Sequence, residues 1–183
     1  KDLNGDKVID EFDQGVIGKP NLPTTTAGLN LGLGYKGFDI AVLFQGSFDY
    51  NFRIIAEGIE PFVSNLQPIH LQRWTPETAG TAKFHRLTTS ASSINSSRSF
   101  ASDFWMIEAS FVRLKSVDLG YKLPEKWLKP VKMSSVRVYA SGYNLLTLNN
   151  YDKYQQDAEV ASGSLGGAYP NSRIFNFGIQ AGF

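Results

Sequence analysis

Alternation with a period of two marks both ends of the chain. From Phe175 every second residue is apolar (Phe175, Phe177, Ile179, Ala181, Phe183), and between them stand Asn176, Gly178, Gln180 and Gly182. Successive side chains of a strand point to opposite faces, so this pattern predicts a two-faced strand that ends on an aromatic. The same period runs through Leu29, Leu31, Leu33 and Tyr35, opposite Gly28, Asn30, Gly32 and Gly34. It resumes after Lys36-Gly37 with Phe38, Ile40, Val42, Phe44 and Phe48, and Leu43 is the one apolar exception on the second face. Two such runs joined by two residues predict a hairpin.

Two further strands follow. Phe111 to Leu123 has a broken phase: Val112 and Leu114 share one parity, while Val117, Leu119, Tyr121 and Leu123 share the other. Either a bulge lies near Lys115-Ser116 or only the second half borders an apolar band. Val136, Val138 and Ala140, set against Arg137, Tyr139 and Ser141, open a strand that runs to about Leu148. Alternation fails from Asn51 to Ser102, a stretch holding Pro61, Pro68, Pro76 and the run TTSASSINSSRS at 88–99. A short helix around Phe62–Gln72 is the regular structure expected there, and Pro68 limits its length. Loops beyond about 12–15 residues are uncommon in compact domains unless functional or held from outside. A second long loop, Asn150 to Asn171, carries Gly163, Gly166, Gly167 and Pro170.

The second faces decide what kind of sheet this is. A soluble sandwich is expected to place charge on its solvent face. Here those faces are Gly, Asn, Gln, Ser and Ala, with charge mostly at strand ends. Membrane-spanning strands of about 9–11 residues have this form, lipid-facing apolar positions alternating with a polar interior. Lys36-Gly37 and the 124–134 connection fall at one end of such a sheet and the long loops at the other. The expected fold is therefore all-β, five antiparallel strands of a transmembrane β-barrel with long extracellular loops. Single-chain bacterial barrels start at about eight strands, so five cannot close one.

Composition narrows the partners. A net charge of +1 without basic runs excludes an electrostatic footprint for nucleic acid. The absence of Cys removes thiolate chemistry and disulfides. No apolar run reaches the roughly 18 residues of a transmembrane helix. The chain opens on Lys1 without a signal peptide, as expected of a piece of a longer polypeptide. No nucleophile elbow, carboxylate pair or zinc spacing is present, which argues against an enzyme.

One stretch has ligand spacing. Asp2, Asn4, Asp6, Asp10 and Asp13 occupy positions 1, 3, 5, 9 and 12 of a calcium loop, with the Val8 carbonyl at 7. Lys7 stands where the turn wants Gly, and Asp13 where a bidentate Glu is usual. The competing reading is an Asx-rich turn without metal.

Several blocks resemble a known family: DLNGDKVIDEFD and VIGKPNLPTTTAGLNLGLGYKGFDIAVLFQG near the start, RWTPET at 73–78, SDFWMIEASFVRLKSVDLGYKLPEKWL at 102–128, RVYASGYNLLTLNNYDKY at 137–154 and YPNSRIFNFGIQAGF at 169–183. In order and over essentially the whole chain, they are similar to the C-terminal region of SusC/RagA-type TonB-dependent outer-membrane transporters. The resemblance implies the last five strands of a twenty-two-stranded barrel with an N-terminal plug and a SusD-like surface lipoprotein lid. It implies import of glycans or peptides driven by TonB–ExbB–ExbD, and recognition of Phe183 by the barrel-assembly machinery. The bilayer is then the solvent of the apolar faces. Tyr35, Phe38 and Tyr121 are expected in an interface girdle near the turns; Trp105, Tyr151 and Tyr154, near the far ends, are expected in a second girdle, with contacts to the lid or the ligand as the alternatives. The alternative is a secreted calcium-binding, glycan-binding β-sandwich with Trp74, Trp105 and Trp127 as sugar platforms.

Overall fold

A computed structural model describes residues 2–8, 10–53, 66, 68–87, 102–149, 157, 159 and 170–183. Five long strands form one antiparallel sheet: β1 (Thr25–Tyr35), β2 (Phe38–Phe48), β5 (Phe111–Lys122), β6 (Ser135–Asn149) and β7 (Ile174–Gly182). Two short strands, β3 (Asn51–Arg53) and β4 (Met106–Glu108), pair as a separate ribbon between β2 and β5 in the chain. The sheet order is β1-β2-β5-β6-β7, a meander interrupted only by that excursion. Among the described residues, β1 pairs only with β2 and β7 only with β6, so one edge of each is unpaired.

The hairpin between β1 and β2 turns through Lys36 and Gly37, both with positive φ (47° and 89°), the conformation that matches the twist of flanking strands. Between β5 and β6 the chain makes a one-turn helix, α1 (Glu125–Leu128), and a 3-10 turn over Lys129–Val131. These two connections define a turn end. The β3–β4 ribbon, residues 68–87, the last residues of β6 and the first of β7 lie at the opposite, loop end.

Register stacks the apolar positions into rows across the sheet. One row is Tyr35, Phe38, Tyr121, Val138 and Ile179; the next is Leu33, Ile40, Leu119, Ala140 and Phe177; a third is Leu31, Val42, Val117, Gly142 and Phe175. Leu29, Phe44, Leu114 and Leu146 continue the same face toward the loop end. This outer face is open: Leu31, Leu33, Leu119, Val138, Phe175, Phe177 and Ile179 are all exposed, Phe177 at 83%. The phase break in β5 is a bulge. Leu114 pairs with Phe44 and Ser116 with Leu43, leaving Lys115 unmatched, so Leu114 and Val117 both reach the outer face.

The buried core sits at the loop end. Tyr50, Phe52, Phe84, Trp105, Ile107, Ala109 and Phe111 form one cluster, to which the five-stranded sheet contributes only Phe111. The β3–β4 ribbon was not foreseen, because three residues per strand are too few to show a period. Of the helix expected around Phe62–Gln72, a 3-10 helix over Pro68–Gln72 is present, and residues 62–65 and 67 lie outside the described residues. No helix among the described residues is long and apolar enough to cross a membrane, which does not bear on strands.

Candidate functional site

The inner face of the sheet carries charge that the sequence pattern did not reveal. Near the turn end Asp39 of β2, Asp118 of β5 and Arg137 of β6 meet. The Arg137 Nε donates to both Asp39 oxygens at 3.1 and 3.2 Å, and its Nη2 bridges Asp39 and Asp118. Asp39 and Arg137 are two strands apart, and the strand between them presents Gly120 opposite Asp39. A Cβ at Gly120 would fall inside the guanidinium, so glycine there lets Arg137 lie flat across the sheet. The guanidinium also stands 5.3 Å from the Tyr139 ring centroid. That ring in turn covers Gly178 of β7, where a Cβ would come within 2.6 Å of it. The result is a low, flat inner surface on which one guanidinium is shared by two carboxylates.

Toward the loop end Arg113 is almost fully buried, at 2% exposure. Its three nitrogens are all engaged: Nε with Thr147 Oγ1 at 2.9 Å, Nη2 with Asp157 at 2.8 Å, Nη1 with Glu159 at 3.1 Å. Lys115, the bulge residue, reaches Glu159 at 2.7 Å. The Asn171 N–H donates to Asp157 at 3.1 Å. The β6-to-β7 connection is thereby tied to the inner face at two acidic residues. Charge-assisted bonds of this kind are the strong ones, and burial makes each partner dependent on the others.

The loop-end cluster is built around the RWTPET block. Arg73 and Phe84 form a parallel bridge, and Thr75 caps the turn Pro76–Thr78, its side chain accepting from the Thr78 N–H while Thr78 returns the bond to the Thr75 N–H. The Thr75 hydroxyl also holds the Glu77 carboxyl below the usual carboxylate range. Phe84 packs edge-on against His70 (5.3 Å between centroids) and Phe104 (6.0 Å); Trp105 meets Phe104 at 4.7 Å and His85 at 5.3 Å. Trp105 is 8% exposed, so it is a core residue and not the far-end girdle residue expected of it. Trp74 is partly exposed and Trp127 lies at the opposite end on α1, so the three tryptophans form no common platform. Lys19 clips the preceding segment to this region, binding Glu108 at 2.7 Å and Asp49 at 3.1 Å, and those two carboxylates raise its pKa.

The acidic stretch folds as a compact loop. Asp2 accepts from the Gly5 and Lys7 N–H groups (2.6 and 2.9 Å), Asn4 from Asp6, Asp6 from Val8, and Asp10 from Phe12. Asp13 closes it, accepting from Leu3 at 2.6 Å and from Asp10 at 3.0 Å, bonds that hold its carboxyl below the usual range. Lys7 takes the left-handed backbone (φ 69°) that position six of a calcium loop requires. The side-chain oxygens are turned to backbone N–H groups, and among the described residues no three acid, His or Cys side chains group as metal ligands do. Those bonds have the Asx-turn form.

At the turn end the Phe38 and Tyr121 rings lie tilted against each other, 4.4 Å between centroids, beside exposed Tyr35 on the outer face. Phe183 follows β7 at the same end and is 93% exposed. Tyr151 and Tyr154 lie outside the described residues.

No protein-family model matches the chain. Relatives match it over its full length: TonB-dependent receptor P3 of Formosa agariphila at 32% identity, TonB-dependent receptor P26 of the same organism at 27%, and TonB-dependent receptor SusC of Bacteroides thetaiotaomicron at 27%. The chain spans 18%, 19% and 17% of those proteins, respectively. Among solved structures, the RagAB peptide transporter superposes with a TM-score of 0.67 at 26% identity, over 90% of this chain and 18% of that one. The closed-closed state of the RagAB peptide importer gives 0.66 at 27% identity, over 91% and 18%. Over its full length the chain is similar to these TonB-dependent receptors, SusC among them, and its five strands have the arrangement of a five-stranded segment of the RagAB transporter.

Proposed function

We propose that this chain forms the C-terminal part of the wall of an outer-membrane β-barrel that imports nutrients. One observation supports this above the others: five strands of 9 to 15 residues carry their large apolar side chains, most of them exposed and the rest half-buried, on one continuous face. Water is a poor neighbour for such a face and acyl chain a good one. The opposite face, flat and ionic, suits a lumen. In this reading the turn end is periplasmic, the loop end faces out, and Phe183 marks the strand terminus for barrel assembly. The remaining strands and a plug complete the barrel, a SusD-like lipoprotein covers its mouth, and TonB–ExbB–ExbD supplies the energy. The cargo is a glycan or a peptide; RagAB, a peptide importer by name, makes peptide the first class to test.

A β-sandwich module would need a second sheet over the apolar face. Among the described residues the other sheet is the β3–β4 ribbon, which lies at the loop end. The deciding experiment places Arg at Phe175 or Leu31, which share a mid-sheet row, and at Asn176 as control, in the complete receptor folded into bilayers. Arg on the outer face should cost about 2–4 kcal/mol near the bilayer midplane, and at Asn176 little. Equal tolerance at both parities overturns the assignment.

A further inference from the structure

His85 lies beside the loop-end core, and among the described residues its ring has no hydrogen-bond partner. Both ring nitrogens are buried and unpaired, and the ring stands edge-on to Trp105 at 5.3 Å. A neutral imidazole tolerates such a slot; an imidazolium, with two N–H donors and a full charge, does not. The backbone around it links the slot to the whole 68–87 segment. Trp74 N–H donates to the Phe84 carbonyl at 2.8 Å, Lys83 and Phe84 both donate to the Gln72 carbonyl, and Phe84 anchors the same aromatic cluster through Phe104.

We propose that His85 is an acid-sensitive latch: when it takes up a proton it must leave its slot against Trp105, and the 68–87 segment comes away from the aromatic core. The groups around it set the direction. Burial, and secondarily the neighbouring His70, depress its affinity for a proton. His70 comes from the 3-10 helix Pro68–Gln72; from the other packed element, Trp105 brings no titrating group. Lys83 and Arg86, flanking in sequence, are exposed. The unfolded segment therefore binds the proton better than the folded one. The latch is fully closed above the ordinary imidazole value of about 6.5 and weakens as pH falls below it, by up to about tenfold in the opening equilibrium per pH unit until the folded value is reached.

Amide hydrogen exchange on the complete receptor in bilayers tests this. Protection factors for peptides from 68–87 should fall between pH 7.5 and 5.0, by up to about thirtyfold, while those from β5 and β6 hold. His85→Phe, which keeps an aromatic ring in the slot, should abolish the response, and His70→Phe should retain it. The slow exchange of the imidazole C2 hydrogen in the unmodified protein gives the His85 titration directly, without any substitution. A midpoint below the free-histidine value supports the latch. A midpoint at or above it, an unchanged protection factor at pH 5.0, or an equal loss in His85→Phe overturns it.

Discussion

The sheet and the loop-end cluster use the same amino acids in opposite ways. Phe175, Phe177, Leu31 and Leu33 are large, apolar and exposed, whereas Phe52, Phe84, Trp105 and Ile107 are large, apolar and buried. The cluster meets its own needs: its aromatics pack edge to face, its turn is capped, and its lysine clip is paired. The sheet does not. Among the described residues its outer face has no protein over it and its two edge strands lack one neighbour each. A sheet that buries almost nothing within its own chain draws its stability from its surroundings; the cluster draws its stability from itself.

That contrast can be broken at single residues. Trp105→Ala removes a ring from a filled core and should cost about 3–5 kcal/mol, transfer and cavity together, read by equilibrium unfolding or by loss of protection in β3 and β4. Phe177→Ala should cost less, about 1.5–3 kcal/mol, because acyl chains refill the gap and only the transfer term remains. Equal costs would mean that protein, not lipid, covers the outer face. Arg113→Met strands two acidic side chains against the inner face and should cost about 3 kcal/mol, with faster exchange at residues 170–173. The smallest effect is local: Thr75→Ala removes the cap of the RWTPET turn, worth about 1 kcal/mol, and should loosen 73–84 while leaving the sheet intact.

The long strands were legible because their two faces differ over at least three alternate positions each. The hairpin was legible from Lys36-Gly37 alone, and the bulge from the parity change between Leu114 and Val117. The β3–β4 ribbon was not, since its three-residue strands are separated by more than fifty residues and their pairing leaves no local trace. The inner-face ion pairs escaped for a related reason. Asp39 and Arg137 are 98 residues apart and meet only because β5 lies between their strands with a glycine at the crossing. Charge that had been assigned mostly to strand ends turns out to be a register-dependent network. Trp105 was misplaced because the residues that bury it, Phe84 and His85, belong to a stretch with no readable period. The acidic loop showed its spacing in the sequence, but spacing alone does not say whether side-chain oxygens turn to a metal or to backbone N–H groups.

The bulge at Lys115 has a consequence for how such a chain tolerates change. A strand that crosses a two-sided wall carries a parity, and a single inserted or lost residue inverts it. Lys115 is the supernumerary residue: without it Val112, Leu114, Val117, Leu119 and Tyr121 would follow at unbroken alternation, with Arg113, Ser116 and Asp118 on the opposite face. The bulge thus absorbs one extra residue so that the half-strands on either side of it keep their inside and their outside. A single-residue deletion in β5 should therefore be accepted at Lys115 before anywhere else in the strand.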